Sequence, residues 1–186
     1  MAEPIRILGI SGSLREGSFN TAALRAAHQL APAGMSIETT QLRPIPLYDQ
    51  DTEARGFPES VRALGAHIAQ ADGVLIATPE YNYSVPGVLK NALDWVSRLP
   101  QAPFADKPVA IMGASPGMLG TARAQYHLRQ SFVFLRSHML SAPEVMIAAA
   151  QQKFDAAGNL TDAPTREFLG KFLTAFAAWI ERLRAR

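Results

Sequence analysis

Short, nearly unbroken apolar runs recur along this chain, and each is followed by a segment of helical length. Runs at Ile5–Ser11, 73–78 and 109–114 carry few polar residues. A strand with one face in water alternates apolar with polar side chains. A strand that is apolar at almost every position is covered on both faces, which is the situation of a parallel sheet between layers of helix. Further runs at 36–42 and 144–148 bring the predicted strands to five, and helices are predicted near 20–30, 58–71, 86–98, 121–138 and 164–184. Strands that alternate with helices predict a doubly wound α/β fold: a five-stranded parallel sheet with right-handed crossovers and helices on both faces.

Local signals agree. Pro86 suits a first helical turn, and Val88, Leu89, Ala92, Leu93 and Val96 then repeat at helical spacing. In the last helix Phe168, Leu169, Phe172, Leu173, Phe176, Trp179, Ile180 and Leu183 form a similar stripe, expected in the core. Residues 43–57 hold Pro44, Pro46, Asp49, Asp51 and Gly56 and read as a long surface loop, while 151–164 reads as a polar connection. No repeat or second domain is evident, so one domain over residues 1–186 is expected.

Composition removes several functions. The chain has no cysteine, which excludes disulfides, thiolate metal sites and cysteine nucleophiles. Its net charge is only +2 and no long basic run occurs, so nucleic acid is not an expected partner. No run approaches the roughly 18–20 apolar residues that span a bilayer. The first residues, Met-Ala-Glu-Pro, lack the basic and apolar regions of a signal peptide, so a cytoplasmic location is expected.

In an open parallel sheet, ligands bind beyond the carboxyl ends of the strands, where strand order reverses. Three loops fall there. The first, after residue 11, is rich in Gly and Ser, carries Arg15 and opens a helix. Unpaired N–H groups and the helix dipole suit an anion at such a position. Ser11, Ser13 and Ser18 add hydroxyls, Arg15 a planar cation, and Asn20 a helix cap. The same residues also suit an ordinary turn, and this stretch alone leaves both readings open. The second loop, 78–87, has two tyrosines and an Asn between Pro79 and Pro86. Its stiffened backbone and aromatic rings could border a flat polar ring. The third, 113–120, offers small residues that let a planar group come close. Gly12, Gly17 and Ser18 give G-x-x-x-x-G-S without the lysine of a triphosphate loop, and the G-x-G-x-x-G fingerprint is absent. A single phosphate, a polar tether and a flat ring remain, which describes FMN.

The stretches G-S-L-R-E-G-S-F-N at 12–20, P-E-Y-N-Y-S-V-P-G-V-L-K-N-A-L-D-W at 79–95 and G-A-S-P-G-M-L-G at 113–120 closely resemble the NADPH-dependent FMN reductase family, nearest its chromate and quinone reductase branch. The resemblance covers about residues 5 to 148. It implies a flavodoxin-like fold with strand order 2-1-3-4-5, bound FMN, and two-electron reduction of quinones, flavins, azo dyes or metal oxyanions by NADPH or NADH. Carried over by position, it implies Ser11, Ser13, Arg15, Ser18, Phe19 and Asn20 around the FMN phosphate. It puts Pro79, Glu80, Tyr81, Asn82 and Tyr83 along the ribityl chain and ring, and Ser115 and Gly117 at the ring's border.

The expected mechanism is a two-step hydride shuttle on the flavin, with no catalytic side chain. His28, His67, His127 and His138 all fall in helix patterns and are expected away from the three loops. A flavodoxin-type electron carrier is the alternative, although such carriers are strongly acidic and this chain is slightly basic. Tyr126, Val133 and Phe134 lie off the core stripe of their helix and point to a partner surface. The resemblance likewise implies a homodimer or homotetramer, with Trp95 and the 43–57 loop as candidate contacts.

Overall fold

The structure, a computed structural model, describes residues 4–185. Element order is β1 (Ile5–Ser11), α1 (Phe19–Leu30), β2 (Met35–Thr40), α2 (Gln50–Arg55), α3 (Glu59–Gln70), β3 (Gly73–Ala77), α4 (Gly87–Ser97), β4 (Pro108–Ala114), α5 (Ala122–Phe134), β5 (His138–Met139), β6 (Val145–Ile147) and α6 (Ala163–Arg184). All pairings are parallel, in the order β2-β1-β3-β4-β5, with β6 also on β4.

The continuous apolar runs have the predicted cause. In β3, Leu75 and Ala77 face one layer, while Val74 and Ile76 face the other. In β4, Ala110, Met112 and Ala114 divide from Val109 and Ile111 in the same way. The first layer is covered by α1 and α6, through Leu24, Phe172, Phe176 and Ile180. The second is covered by α3, α4 and α5, through Ile68, Leu89, Trp95 and Phe132. Burying side chains of this size contributes about 1.5–3 kcal/mol each. Among the described residues, no helix is long and apolar enough to cross a membrane.

Four expectations need correction. The fifth strand is not one run at 144–148. Its place beside β4 is shared by β5, against Pro108 and Val109, and β6, against Met112 to Ala114. Pro143 lies between them and has no N–H to give to a ladder. The helix predicted over 121–138 stops at Phe134, and His138 sits on β5. Arg136, at φ 57, turns the chain out of the helix. The 43–57 segment is not a free loop. It contains α2, capped by Asp49, and is pinned to α4: the Tyr48 amide donates to Asn91 Oδ1, while Asn91 Nδ2 and Trp95 Nε1 both donate to the Pro46 carbonyl. Trp95 is fully buried beneath it and is core, not a partner contact. Finally, Phe168 is 43% exposed rather than core, and Leu183 is only partly buried.

Candidate functional site

Strand order reverses between β1 and β3. The loops that follow these strands, together with the loop after β4, meet on one edge of the sheet.

The first loop leaves β1 with the Gly12 amide still paired to Ala77, 2.8 Å away. A Cβ on Gly12 would lie 3.2 Å from both Leu89 and Pro79, so this loop runs against the base of the second. Ser18 is the cap of α1. Its buried hydroxyl accepts from the amides of Asn20 and Thr21, at 3.2 and 3.3 Å. Asn20 is therefore not the cap. It is 3% exposed, and its side chain reaches the Ala114 backbone, donating from Nδ2 and accepting at Oδ1, both at 2.9 Å. The side chain is thus committed to holding the first loop against the start of the third. Ser11 is also committed, sharing a hydrogen bond with Thr21 at 2.9 Å and receiving the Ser13 amide at 3.3 Å.

What remains open is the backbone, one cation and the Ser13 hydroxyl, whose Oγ accepts the Arg15 amide at 3.4 Å and whose hydrogen is left to donate. The amides of Leu14, Glu16, Gly17 and Phe19 donate to no acceptor among the described residues. Arg15 is exposed, lies 5.5 Å from the Phe19 ring, and forms no ion pair among the described residues. Phe19 in turn rests on Phe154, with ring centroids 5.6 Å apart.

The second loop closes on itself. Tyr81 and Ser84 exchange backbone hydrogen bonds of 3.1 and 3.0 Å around Asn82 and Tyr83. Both central residues are left-handed, at φ 49 and 68, as a tight type I′ turn requires. For a tyrosine this is costly, and such strain is a pointer to function. Tyr81 is 50% and Tyr83 67% exposed, whereas Pro79 is buried.

Glu80 does not line this loop with its carboxylate. Its Oε2 accepts from the Arg123 and Ala124 amides, at 3.0 and 3.1 Å, and its Oε1 lies 3.3 Å from the Arg123 guanidinium. Thr121, at the N-terminus of α5, has φ 77 and makes no side-chain cap. Glu80 caps the helix from another loop. His127 corrects a further expectation, because its Nδ1 is 3.0 Å from Ser84 Oγ and so touches the second loop. His138 instead faces Asp106, and His28 the Ile37 carbonyl.

In the third loop, Ser115 Oγ accepts from the Gly117 amide at 3.1 Å. The carbonyls of Ser115 and Gly117 take the amides of Ala150 and Ala149. A Cβ on Gly117 would meet only Ser115 Oγ, at 3.4 Å, so the loop is open on that side. Gly113 is the opposite case: a Cβ there would collide with Thr121 Oγ1 and the Thr78 carbonyl. Sequence reasoning missed the roles of Arg123 and Phe154. Their partners lie 43 residues from Arg123 and across the fold from Phe154, and no local pattern marks them.

Comparison with known proteins agrees with this architecture. A family model described as NADPH-dependent FMN reductase matches residues 5–152. The chain is 56% identical over 184 residues to an NAD(P)H-dependent FMN reductase of Pseudomonas aeruginosa, covering 99% of this chain and 100% of that one. It is 48% identical over 187 residues to a quinone reductase of Escherichia coli, covering 99% and 100%. Among solved structures, it is similar to the flavoenzyme NAD(P)H:(acceptor) oxidoreductase FerB of Paracoccus denitrificans, with a TM-score of 0.87, 37% identity, and coverage of 96% and 98%. The chain belongs to the NADPH-dependent FMN reductase family, enzymes that work with FMN and NAD(P)H.

Proposed function

We propose that the three loops hold FMN across the switch point and that this chain passes one hydride, two electrons with one proton, from NAD(P)H by way of the flavin to quinones, the second proton coming from water. Free flavins, azo compounds and metal oxyanions such as chromate are further acceptors. The observation that carries the placement is the set of amides leading into and opening α1 that have no partner among the described residues, beside an arginine that forms no ion pair among them. Amides and a guanidinium suit a phosphate dianion. The left-handed turn at Asn82 and Tyr83, and the open side of Gly117, suit a flat ring with polar edges.

In this reading Arg15, Ser13 and the amides of Glu16, Gly17 and Phe19 bind the phosphate. Ser18 holds the helix end in shape, and Asn20 and Ser11 brace the loop from behind. Pro79 and the backbone of Glu80 to Tyr83 border the tether and ring, with Ser115 and Gly117 opposite. FMN, once bound, supplies the hydride chemistry, so no side chain is needed as nucleophile or base. The exposed rings of Tyr81 and Tyr83 flank a space that donor and acceptor occupy in turn, which makes the kinetics ping-pong. The similarity to the quinone reductase of Escherichia coli supports quinones as the first acceptors to try. The exposed apolar face of α5 supports assembly with a second copy.

The test is a visible spectrum of the purified protein. A flavin spectrum that bleaches with NADPH and returns with benzoquinone is expected. Varied NADPH at several quinone concentrations should give parallel double-reciprocal lines. Intersecting lines would reject the shuttle, and a flavin that stays oxidised with both NADPH and NADH would reject the reductase reading.

A further inference from the structure

Arg123 makes a contact that helix capping does not require. Its guanidinium carbon lies 3.4 Å from the centroid of the Tyr83 ring, although that tyrosine is 67% exposed. The same guanidinium is paired with Glu80 at 3.3 Å, and the Arg123 amide donates to that carboxylate at 3.0 Å. One residue of α5 therefore grips the second loop at two points, before and within the left-handed turn.

The turn needs such a grip. Left-handed backbone is disfavoured for L-residues other than Gly, Asn and Asp, and it persists where surrounding contacts over-determine it. Asn82 tolerates it, but Tyr83 does not do so unaided. The hydrogen bonds between Tyr81 and Ser84 close the turn without fixing how it sits on the body of the protein. The amides of Asn82 and Tyr83 donate to no acceptor among the described residues, so their direction matters to whatever lies beside them. A guanidinium held over the Tyr83 ring at 3.4 Å, itself anchored to Glu80, sets that direction.

We propose that Arg123 is a positioning residue of the cofactor site, clamping the Tyr81–Ser84 turn to α5 and so aiming the free amides of Asn82 and Tyr83. The inference rests on the FMN placement proposed above. A lysine at this position keeps the charge but cannot lie flat on a ring or pair through a fork.

Two measurements test it, each on wild type, Arg123→Lys and Arg123→Ala. The first is hydrogen exchange of the apoprotein. The amides of Tyr81 and Ser84 should exchange at least about tenfold faster in both variants, while the later turns of α5 keep their protection. The second is FMN affinity, from quenching of flavin fluorescence as apoprotein is added. Affinity should fall about tenfold in both variants, with lysine giving no rescue. Unchanged exchange in the turn together with unchanged affinity overturns the proposal. So does faster exchange confined to the first turn of α5, because Arg123 would then be only part of a helix end. Wild-type protein that takes up no FMN overturns the cofactor placement itself, and faster exchange of the turn would then mark Arg123 as a clamp on a different site.

Discussion

Asn20 gives its side-chain hydrogen bonds to the backbone of Ala114, 94 residues away. Asn20→Ala removes both and leaves a buried N–H and C=O without partners, at about 1–3 kcal/mol for each group. A melting temperature lower by roughly 5–15 °C is expected in a scanning-calorimetry or circular-dichroism melt. Arg15 is the contrasting case, an exposed cation that supports little of the fold. Arg15→Ala should weaken FMN binding roughly ten- to a hundredfold, the worth of a charge-assisted hydrogen bond. It should leave kcat at saturating FMN nearly unchanged and the apoprotein melt within about 1 °C. Equilibrium dialysis beside steady-state kinetics checks both. The two residues differ in how far they could be read from the chain alone. The loop containing Arg15 is local, and its Gly, Ser and Arg content is what marks it as the proposed anion site. The partner of Asn20 is set by tertiary packing, so its residue type suggested a cap while the structure uses it as a cross-link.

At the level of elements, sheet and helices followed from apolar periodicity to within a few residues, because strands buried on both faces leave a strong signal. The failures fall where another rule intervenes. Pro143 interrupts the edge strand, Arg136 ends α5 early, and α2 forms in a stretch whose prolines read as loop. One electrostatic link joins three elements. Asp72, just before β3, accepts from the Arg6 amide of β1 at 2.7 Å and pairs with Arg184 of α6 at 2.9 Å. Burial pushes the Asp72 carboxyl up, but the Arg6 amide and the Arg184 guanidinium outweigh it and hold it below its ordinary value. A carboxylate whose value is depressed on folding contributes stability above its unfolded value, about 3.9, and loses it as pH falls through the folded value. Asp72→Asn should therefore lower stability at pH 7 and lower it much less near pH 2. Urea denaturation of both proteins at the two pH values would show the gap closing, and a constant gap would contradict the assignment.

At the scale of the whole molecule, α5 leaves an apolar face exposed. Val133 and Phe134, at the end of α5, are 80% and 79% exposed, and Tyr126 on the same helix is 51% exposed. A surface of this kind is expected to be covered by a second copy. Wild type is expected to sediment as an oligomer at micromolar concentration, and Phe134→Asp should shift it toward monomer without lowering the melting temperature of the monomer. The chain hinted at this face, because α5 carries apolar residues off its core stripe. It misdirected the search for contacts at Trp95, whose indole is buried against Tyr48 and Phe57. Aromatic type alone does not separate an interface residue from a core one.

The carboxylate of Glu80 closes the first turn of a helix that begins more than forty residues later in the chain. This makes the second loop a poor unit for transplantation. Moved into a related scaffold by itself, it would leave an acidic side chain searching for amides, and the host helix would keep an end shaped for a different neighbour. The segment that can be exchanged between such enzymes is discontinuous: residues 79–84 together with 121–124, carried as a pair. Libraries that aim to change acceptor preference should vary these two stretches jointly.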